Sequence, residues 1–233
     1  MTHIDPATPR GRAARQRAYR RNIKLTLPTA TERETRIRDT YLRASSETRT
    51  TGLGWYGVGH DLCRDMASTY GVTTATAAGV VAAYSPQTGW ADNIRLATTA
   101  LEVAATTGRT DLIGGHTQDA CTKVSRILQG ADPFTVLGGR KVRSFYPNLL
   151  YPHRSGPVTA DRHFADMVFG RRGAAADRVL ELAGVYALIT ASCRTVARQL
   201  GLRPHDLQAI DWVQWRLEHD VSAIYDYDPD EQF

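Results

Sequence analysis

The sequence predicts an all-α fold, and two observations support that prediction. Apolar residues recur about every 3.6 positions from Thr31 to Leu217, which is the spacing of one face of an α-helix. No two alternating segments are joined by a tight turn, so the sequence predicts no β-hairpin. The chain has 233 residues, of which 42% are hydrophobic and 23% charged, as in globular proteins with a substantial core.

Composition argues against several classes of protein. No apolar run approaches the roughly 20 residues that span a bilayer, and the N-terminus lacks the apolar core of a signal peptide. The three cysteines, Cys63, Cys121 and Cys193, favour buried thiols in a reducing compartment over a disulfide framework. They cannot supply a four-cysteine iron–sulfur cluster. We therefore expect a cytoplasmic monomer that uses no membrane, metal ion or other cofactor.

The charge balance favours an anionic partner, most often nucleic acid. The net charge is +5 and the sequence pI is near 9.3. No acidic residue interrupts the stretch from Arg10 to Lys24, which predicts a solvated basic arm that could also bind phosphates. Lysine occurs only at Lys24, Lys123 and Lys141, and every other basic residue is arginine. Lys141 is notable because lysine, unlike arginine, can lose its proton and act as a nucleophile.

The first helices are predicted from caps and glycines. Thr31–Glu34 has the pattern of a capping box at a helix start. Gly52 and Gly54 are expected to break the chain, so that a second helix runs from Trp55 to Tyr70. Gly71 is the expected stop of that helix, because glycine tolerates the left-handed conformation of a C-cap.

An alanine-rich segment from Thr73 to Tyr84 follows. It is apolar nearly all round, which predicts a buried helix, and its alanines disfavour the alternative of a buried strand. The helix should end at Ser85-Pro86, because proline disfavours helical geometry in the residue before it. Trp90 begins the next apolar stripe, so Gln87 lies in a turn between two helices. Its amide could contact a base or a backbone there, or Gln87 could be an ordinary polar turn residue.

The centre of the chain holds the residues best suited to chemistry. Gly138 and Gly139 precede Arg140 and Lys141 at the start of an amphipathic helix, where free backbone N–H groups suit a phosphate. Asp161 stands at the start of a second helix. A lysine facing an aspartate can perform nucleophilic or acid–base chemistry. The alternative is a tight turn followed by an ordinary helix cap.

The C-terminal third is also predicted to be helical. Gly184 divides an apolar stripe into two helices, of which the second ends at Gly201, and Pro204 begins a last helix. The acidic end of the chain is expected to be loose. The predicted organisation is a basic arm at 1–29, a single helical domain at 30–220 and an acidic tail at 221–233.

G-R-K at 139–141 and A-D-R-H at 160–163, with the S-P-Q-T turn at 85–88, resemble motifs of the helix-hairpin-helix DNA glycosylases, the endonuclease III-like superfamily. The resemblance spans roughly residues 55–200. In that family a hairpin grips a DNA phosphate, a lysine after its last glycine is the Schiff-base nucleophile of bifunctional members, and a downstream aspartate is the catalytic acid. Lys141 and Asp161 fall on those two positions.

The resemblance implies a two-lobed helical domain with a central cleft, which binds double-stranded DNA and acts on a flipped-out base. It implies that Lys141 and Asp161 are catalytic. The base pocket would be lined by Gln87, Trp90, Asn93 and His163. The DNA contacts would come from Gly138, Gly139, Arg140, Arg143 and Arg162.

The sequence departs from the family pattern in three places. Leu137 replaces the first glycine of the hairpin, Ala160 precedes the aspartate where valine is usual, and the cluster-binding cysteines are missing. The motifs are closer to small phage-encoded relatives, some of which act in thymine hypermodification. Three functions therefore stay open: an enzyme of the DNA glycosylase fold that acts on a flipped-out base, an enzyme of the same fold that modifies a phage base without strand damage, and a non-catalytic DNA-binding protein.

Overall fold

The computed structural model describes residues 27–170 and 179–219. Within those ranges the regular structure is entirely helical and contains no β-strand, which confirms the predicted all-α class. A short 3₁₀ turn spans Thr110–Leu112. The α-helices are α1 (Ala30–Arg43), α2 (Ser46–Tyr70), α3 (Thr74–Tyr84), α4 (Trp90–Thr107), α5 (Gln118–Leu128), α6 (Pro133–Val136), α7 (Arg140–Leu150), α8 (Arg162–Phe169), α9 (Val185–Leu200) and α10 (Pro204–Glu218).

Most of the predicted basic arm, and the whole of the predicted acidic tail at 221–233, lie outside the described residues. Among the described helices, none combines the length and the apolar composition that crossing a bilayer requires. The predicted starts and stops at Gly71, Gly184, Gly201 and Pro204 are confirmed, since each is the cap or first residue of its helix.

The capping box of α1 lies two residues before the predicted one. The Thr29 side chain accepts a hydrogen bond from the Glu32 N–H at 3.2 Å, and the Glu32 carboxylate accepts one from the Thr29 N–H at 2.7 Å. The prediction of Thr31–Glu34 was therefore wrong in register. Both pairs have the same spacing, and Thr29, directly after Pro28, takes the extended conformation that an N-cap requires.

The predicted break at Gly52 and Gly54 was also wrong, because α2 runs through both residues without interruption. A Cβ built on Gly52 would lie 2.5 Å from the Cα of Ile210 in α10. Glycine is thus required by the close approach of two helices, and the backbone of α2 stays helical. The buried face of α2 is centred on Trp55, Gly59 and Cys63, and Val58 on the other side is 45% exposed.

The buried side chains form two hydrophobic clusters. The first packs mainly helices α2 to α7 around α3, whose residues from Ala77 to Tyr84 are all buried, as predicted for a helix that is apolar all round. The second packs α1, α8 and α9. Helix α10 joins them, with Val213 in the first cluster and Leu207 in the second. Full burial of such a side chain stabilises a fold by about 1.5–3 kcal/mol, whereas an exposed ion pair contributes about 0–1 kcal/mol, so the clusters hold the helices together.

Candidate functional site

The start of α7 is a basic turn built on two glycines. Gly139 is the N-cap residue with φ +78°, a conformation that favours glycine, and no side chain caps this helix end. Leu137 stands where the helix-hairpin-helix motif has its first glycine. Its φ is −69° and its side chain is buried, so this position does not require glycine. Lys123 Nζ lies 3.7 Å from where a Cβ on Gly138 would stand. With the exposed Arg140, the turn combines free N–H groups with positive charge.

The other two predicted DNA-contacting arginines are also exposed. Arg143 donates from Nε to the Leu137 carbonyl at 2.9 Å, which ties its guanidinium to the same turn. Arg162 is the first residue of α8, and its Nε lies 3.3 Å from His163 Nε2. His163, predicted to line the base pocket, is half-buried.

Lys141 is the second residue of α7 and is half-buried. Its Nζ donates a hydrogen bond to the Ser85 carbonyl at 3.1 Å, so the amine lies against the turn that contains Gln87. Burial lowers the pKa of Lys141, the charge of Asp161 raises it, and the charge of Arg162 lowers it. Burial dominates, so Lys141 loses its proton more readily than an exposed lysine.

Asp161 is the N-cap residue of α8, as predicted. Its Oδ1 accepts a hydrogen bond from the Phe164 N–H at 2.9 Å, and its Oδ2 accepts one from Trp212 Nε1 of α10, also at 2.9 Å. With a donor on each oxygen, the carboxylate is held in one orientation, close enough to Lys141 to act on its pKa. No signal in the local sequence singles out Trp212, because its pattern is that of a core tryptophan.

The turn between α3 and α4 holds Gln87 in an uncommon conformation. Gln87 is the one non-glycine residue with positive φ, +61°, in the part of the chain that the structure describes, and it is exposed. That conformation costs about 1–2 kcal/mol for a residue with a Cβ. The Pro86 carbonyl accepts hydrogen bonds from the Thr88 hydroxyl at 3.1 Å and from His116 Nε2 at 2.7 Å. Side chains thus hold the turn in place.

An aromatic cluster lies behind this turn. The ring centroid of Trp55 is 4.9 Å from that of Trp90, 5.6 Å from that of Trp212 and 5.9 Å from that of Phe145. Asn93, one turn after Trp90, is 3% exposed, and its amide oxygen has no hydrogen-bond partner. The indole N–H of Trp55 is buried and unpaired as well. The rings meet at tilted or edge-on angles, and an unpaired acceptor and donor near aromatic faces suit a flat ligand with polar edges.

These contacts place five predicted site residues around one part of the molecule. Lys141 and Asp161 interact electrostatically, Lys141 contacts the Gln87 turn, and Trp90 connects through the aromatic cluster to Trp212, the partner of Asp161. Asn93 follows Trp90 on the same helix.

The residue types that bind metal ions do not cluster in the described parts of the chain. No group of three or more His, Cys, Asp or Glu side chains there could hold a metal ion. The cysteines are free thiols, of which Cys63 and Cys193 are buried. Burial raises the pKa of the Cys63 thiol to about 12, so this thiol is unreactive at neutral pH.

The comparisons with known proteins give one match. No curated protein and no solved structure matches the chain significantly. A family model matches residues 20–219, which cover all of the described residues and so every side chain of the site above. The chain therefore belongs to DUF7178, a family of unknown function.

Proposed function

We propose that this protein is a DNA-binding enzyme that cleaves the N-glycosidic bond of a base flipped out of the duplex. One observation carries the proposal: the half-buried amine of Lys141 lies within electrostatic reach of the doubly hydrogen-bonded carboxylate of Asp161. An amine with a lowered pKa beside an oriented carboxylate is a pair suited to covalent or acid–base catalysis. A helix cap alone requires neither the second hydrogen bond from Trp212 nor the nearby lysine.

The neighbouring groups support a base as the substrate. A base must leave the stack and enter a pocket before its glycosidic bond can be attacked. The half-buried ring of Trp90, backed by the buried Trp55, offers a stacking surface, and the unpaired Asn93 oxygen offers an acceptor to a polar base edge. Gln87, held exposed in a strained turn, would occupy the space that the flipped nucleotide leaves. Strain at a non-glycine residue persists where the surroundings enforce it, and such sites are often functional.

The chemistry assigns different tasks to the two reacting residues. As the C1′–N bond breaks, positive charge develops on the sugar, and the Asp161 carboxylate stabilises it. Lys141, as the free amine, attacks C1′. The base leaves with the bonding electron pair and takes up a proton. Opening of the C1′–O4′ bond, with loss of a proton from the lysine nitrogen and protonation of O4′, then gives an imine.

The basic turn supports DNA as the partner. The uncapped N-terminus of α7, with Arg140, Arg143 and Lys123 around it, offers hydrogen bonds and positive charge to a phosphate. Phosphate contacts would position the duplex while the aromatic cluster receives the base. The net charge of +5 acts in the same direction.

The decisive experiment is to incubate the protein with DNA from its own source and to identify free bases and nucleosides by mass spectrometry. Free base together with a borohydride-trapped protein–DNA complex is the expected result. Lys141→Gln should abolish trapping, whereas the matched control Lys123→Gln should retain it at saturating DNA, because the half-buried Lys123 is paired with Asp119 and would contact only a phosphate. Base release that persists in Lys141→Gln without trapping would indicate water as the nucleophile.

One contact favours a second candidate, transfer chemistry on a base substituent. The Ser85 carbonyl that accepts from Lys141 Nζ stabilises the ammonium form of the lysine. An ammonium group would neutralise a departing anion on a modified base, and the backbone of the DNA would stay intact. A changed nucleoside mass without base release would select this candidate, and DNA binding with neither product would reject both enzymatic functions.

A further inference from the structure

Tyr186, in the first turn of α9, is 9% exposed, and its hydroxyl is surrounded by polar partners. It accepts a hydrogen bond from the Ala160 N–H at 3.2 Å. The same oxygen lies 3.0 Å from the Val158 carbonyl, 3.3 Å from Ser144 Oγ and 3.4 Å from the Arg140 carbonyl. Burial raises the pKa of Tyr186, so the phenol keeps its proton and acts as a donor at neutral pH.

Two of these partners directly precede the proposed reacting residues. Ala160 is the residue before Asp161, and Arg140 is the residue before Lys141. The segment that leads into α8 and the first turn of α7 therefore meet at one buried hydroxyl. No feature of the local sequence around Tyr186 indicates this role, because its partners lie far away along the chain.

We infer that the Tyr186 hydroxyl is a positioning group that sets the separation between Lys141 and Asp161. It acts through the backbone before Asp161, where it accepts from the Ala160 N–H and donates to the Val158 carbonyl, and through the start of α7, where Ser144 Oγ and the Arg140 carbonyl lie within 3.4 Å. The relevance to catalysis rests on the proposed function, whereas the link between the two segments can be tested without DNA. Charge interactions fall with distance, so a change in separation alters how strongly Asp161 stabilises the Lys141 ammonium.

The test is Tyr186→Phe, which removes one oxygen and retains the packed ring. The matched control is Tyr84→Phe, since Tyr84 is also buried but donates its hydroxyl to the Gly114 carbonyl, outside both segments. Tyr84→Phe loses one hydrogen bond, whereas Tyr186→Phe also leaves the buried Ala160 N–H without its acceptor, so Tyr186→Phe should melt at the lower temperature of the two. Only Tyr186→Phe should change the environment of Lys141.

The readout is the rate at which a small anhydride acetylates Lys141 as a function of pH. The sequence has only three lysines, so peptide mass spectrometry resolves Lys141 from the others. We expect Tyr186→Phe to move the Lys141 profile to lower pH by about half a unit, roughly a threefold change in reactivity at fixed pH. The reason is that a more distant carboxylate stabilises the ammonium less.

A double-mutant comparison isolates the cause. In an Asp161→Asn background, Tyr186→Phe should leave the Lys141 profile unchanged, because no carboxylate remains to be displaced. No shift, a shift to higher pH, or equal shifts in both backgrounds would overturn the inference. In base-release assays the same variant should lower kcat and leave DNA affinity unchanged. If the wild-type protein releases no base while the acetylation profile still moves as expected, the proposed function fails and the positioning role stands.

Discussion

Asp161→Asn is the sharpest perturbation that the structure offers. The two side chains are nearly isosteric, and asparagine caps a helix about as well as aspartate, so the cap alone predicts an almost unchanged stability. The hydrogen bond from Trp212 changes that expectation. The single side-chain oxygen of asparagine must still accept from the Phe164 N–H. The amide NH₂ group then points toward the indole N–H of Trp212. Two donors then face each other.

The cost follows from the lost contact. A hydrogen bond to a charged group contributes about 1.5–3 kcal/mol, and the half-buried position of Trp212 lets water replace part of it, so we expect a loss of about 1–2 kcal/mol. In a chain of this size, 1 kcal/mol corresponds to about 2–4 °C in Tm. Asp161→Asn should therefore lower Tm by about 2–8 °C.

Thermal melts of a double-mutant cycle check this value. Trp212→Phe removes the indole donor, and in that background Asp161→Asn should cost almost nothing, which gives a coupling energy of about 1–2 kcal/mol. Additive effects of the two substitutions would refute the reasoning, because they would show that Trp212 does not hold the carboxylate.

Activity supplies the functional half of the prediction. Asp161→Asn should lower base release by orders of magnitude, while DNA binding survives or tightens, because a carboxylate near phosphates is repelled. The matched control is Asp132→Asn at the N-cap of α6, where the carboxylate also accepts a backbone N–H bond at 2.9 Å. Full activity of Asp161→Asn on a verified substrate would reduce Asp161 to a helix cap.

Three further predictions concern stability, the Gln87 turn and DNA. Asp211 is fully buried with both oxygens unpaired, and burial raises its pKa, so the folded state should lose stability as pH rises from 3.8 toward the folded pKa. In urea melts, the free energy of unfolding of Asp211→Asn relative to the wild type should rise by up to about 1.4 kcal/mol per pH unit. A difference between the two proteins that does not change with pH would contradict the raised pKa. Gln87→Gly should be about 1 kcal/mol more stable than Gln87→Ala in the same melts, because glycine adopts the positive φ without strain. Both variants should release base equally poorly, and normal base release by either would show that the amide has no role. Arg140→Gln and deletion of residues 10–24 should each weaken duplex binding and reduce its salt dependence, measured by titration at several salt concentrations; an unchanged slope would exclude a phosphate contact.

The sequence predicted best what depends on neighbours within one helical turn. The stop at Gly71, the Pro204 start of α10 and the cap at Asp161 are local events, in which a side chain or a φ value suits nearby backbone groups. The buried helix from Thr74 to Tyr84 was equally readable, because an apolar surface on all sides has no place except the core.

Tertiary structure decided everything that depends on contacts between distant segments. The sequence alone predicts that Gly52 breaks a helix, whereas the structure shows that Gly52 lets α2 approach Ile210 of α10. A single sequence does not distinguish a glycine in a turn from one at a close helix crossing. The spacing of motifs proposed Lys141 and Asp161 as a pair, but their surroundings, with Trp212 on one oxygen and the Tyr186 hydroxyl tying the preceding residues together, come from helices far along the chain. Hydrogen bonds of that kind leave no periodic trace in a single sequence, because their partners are chosen by packing and not by proximity along the chain.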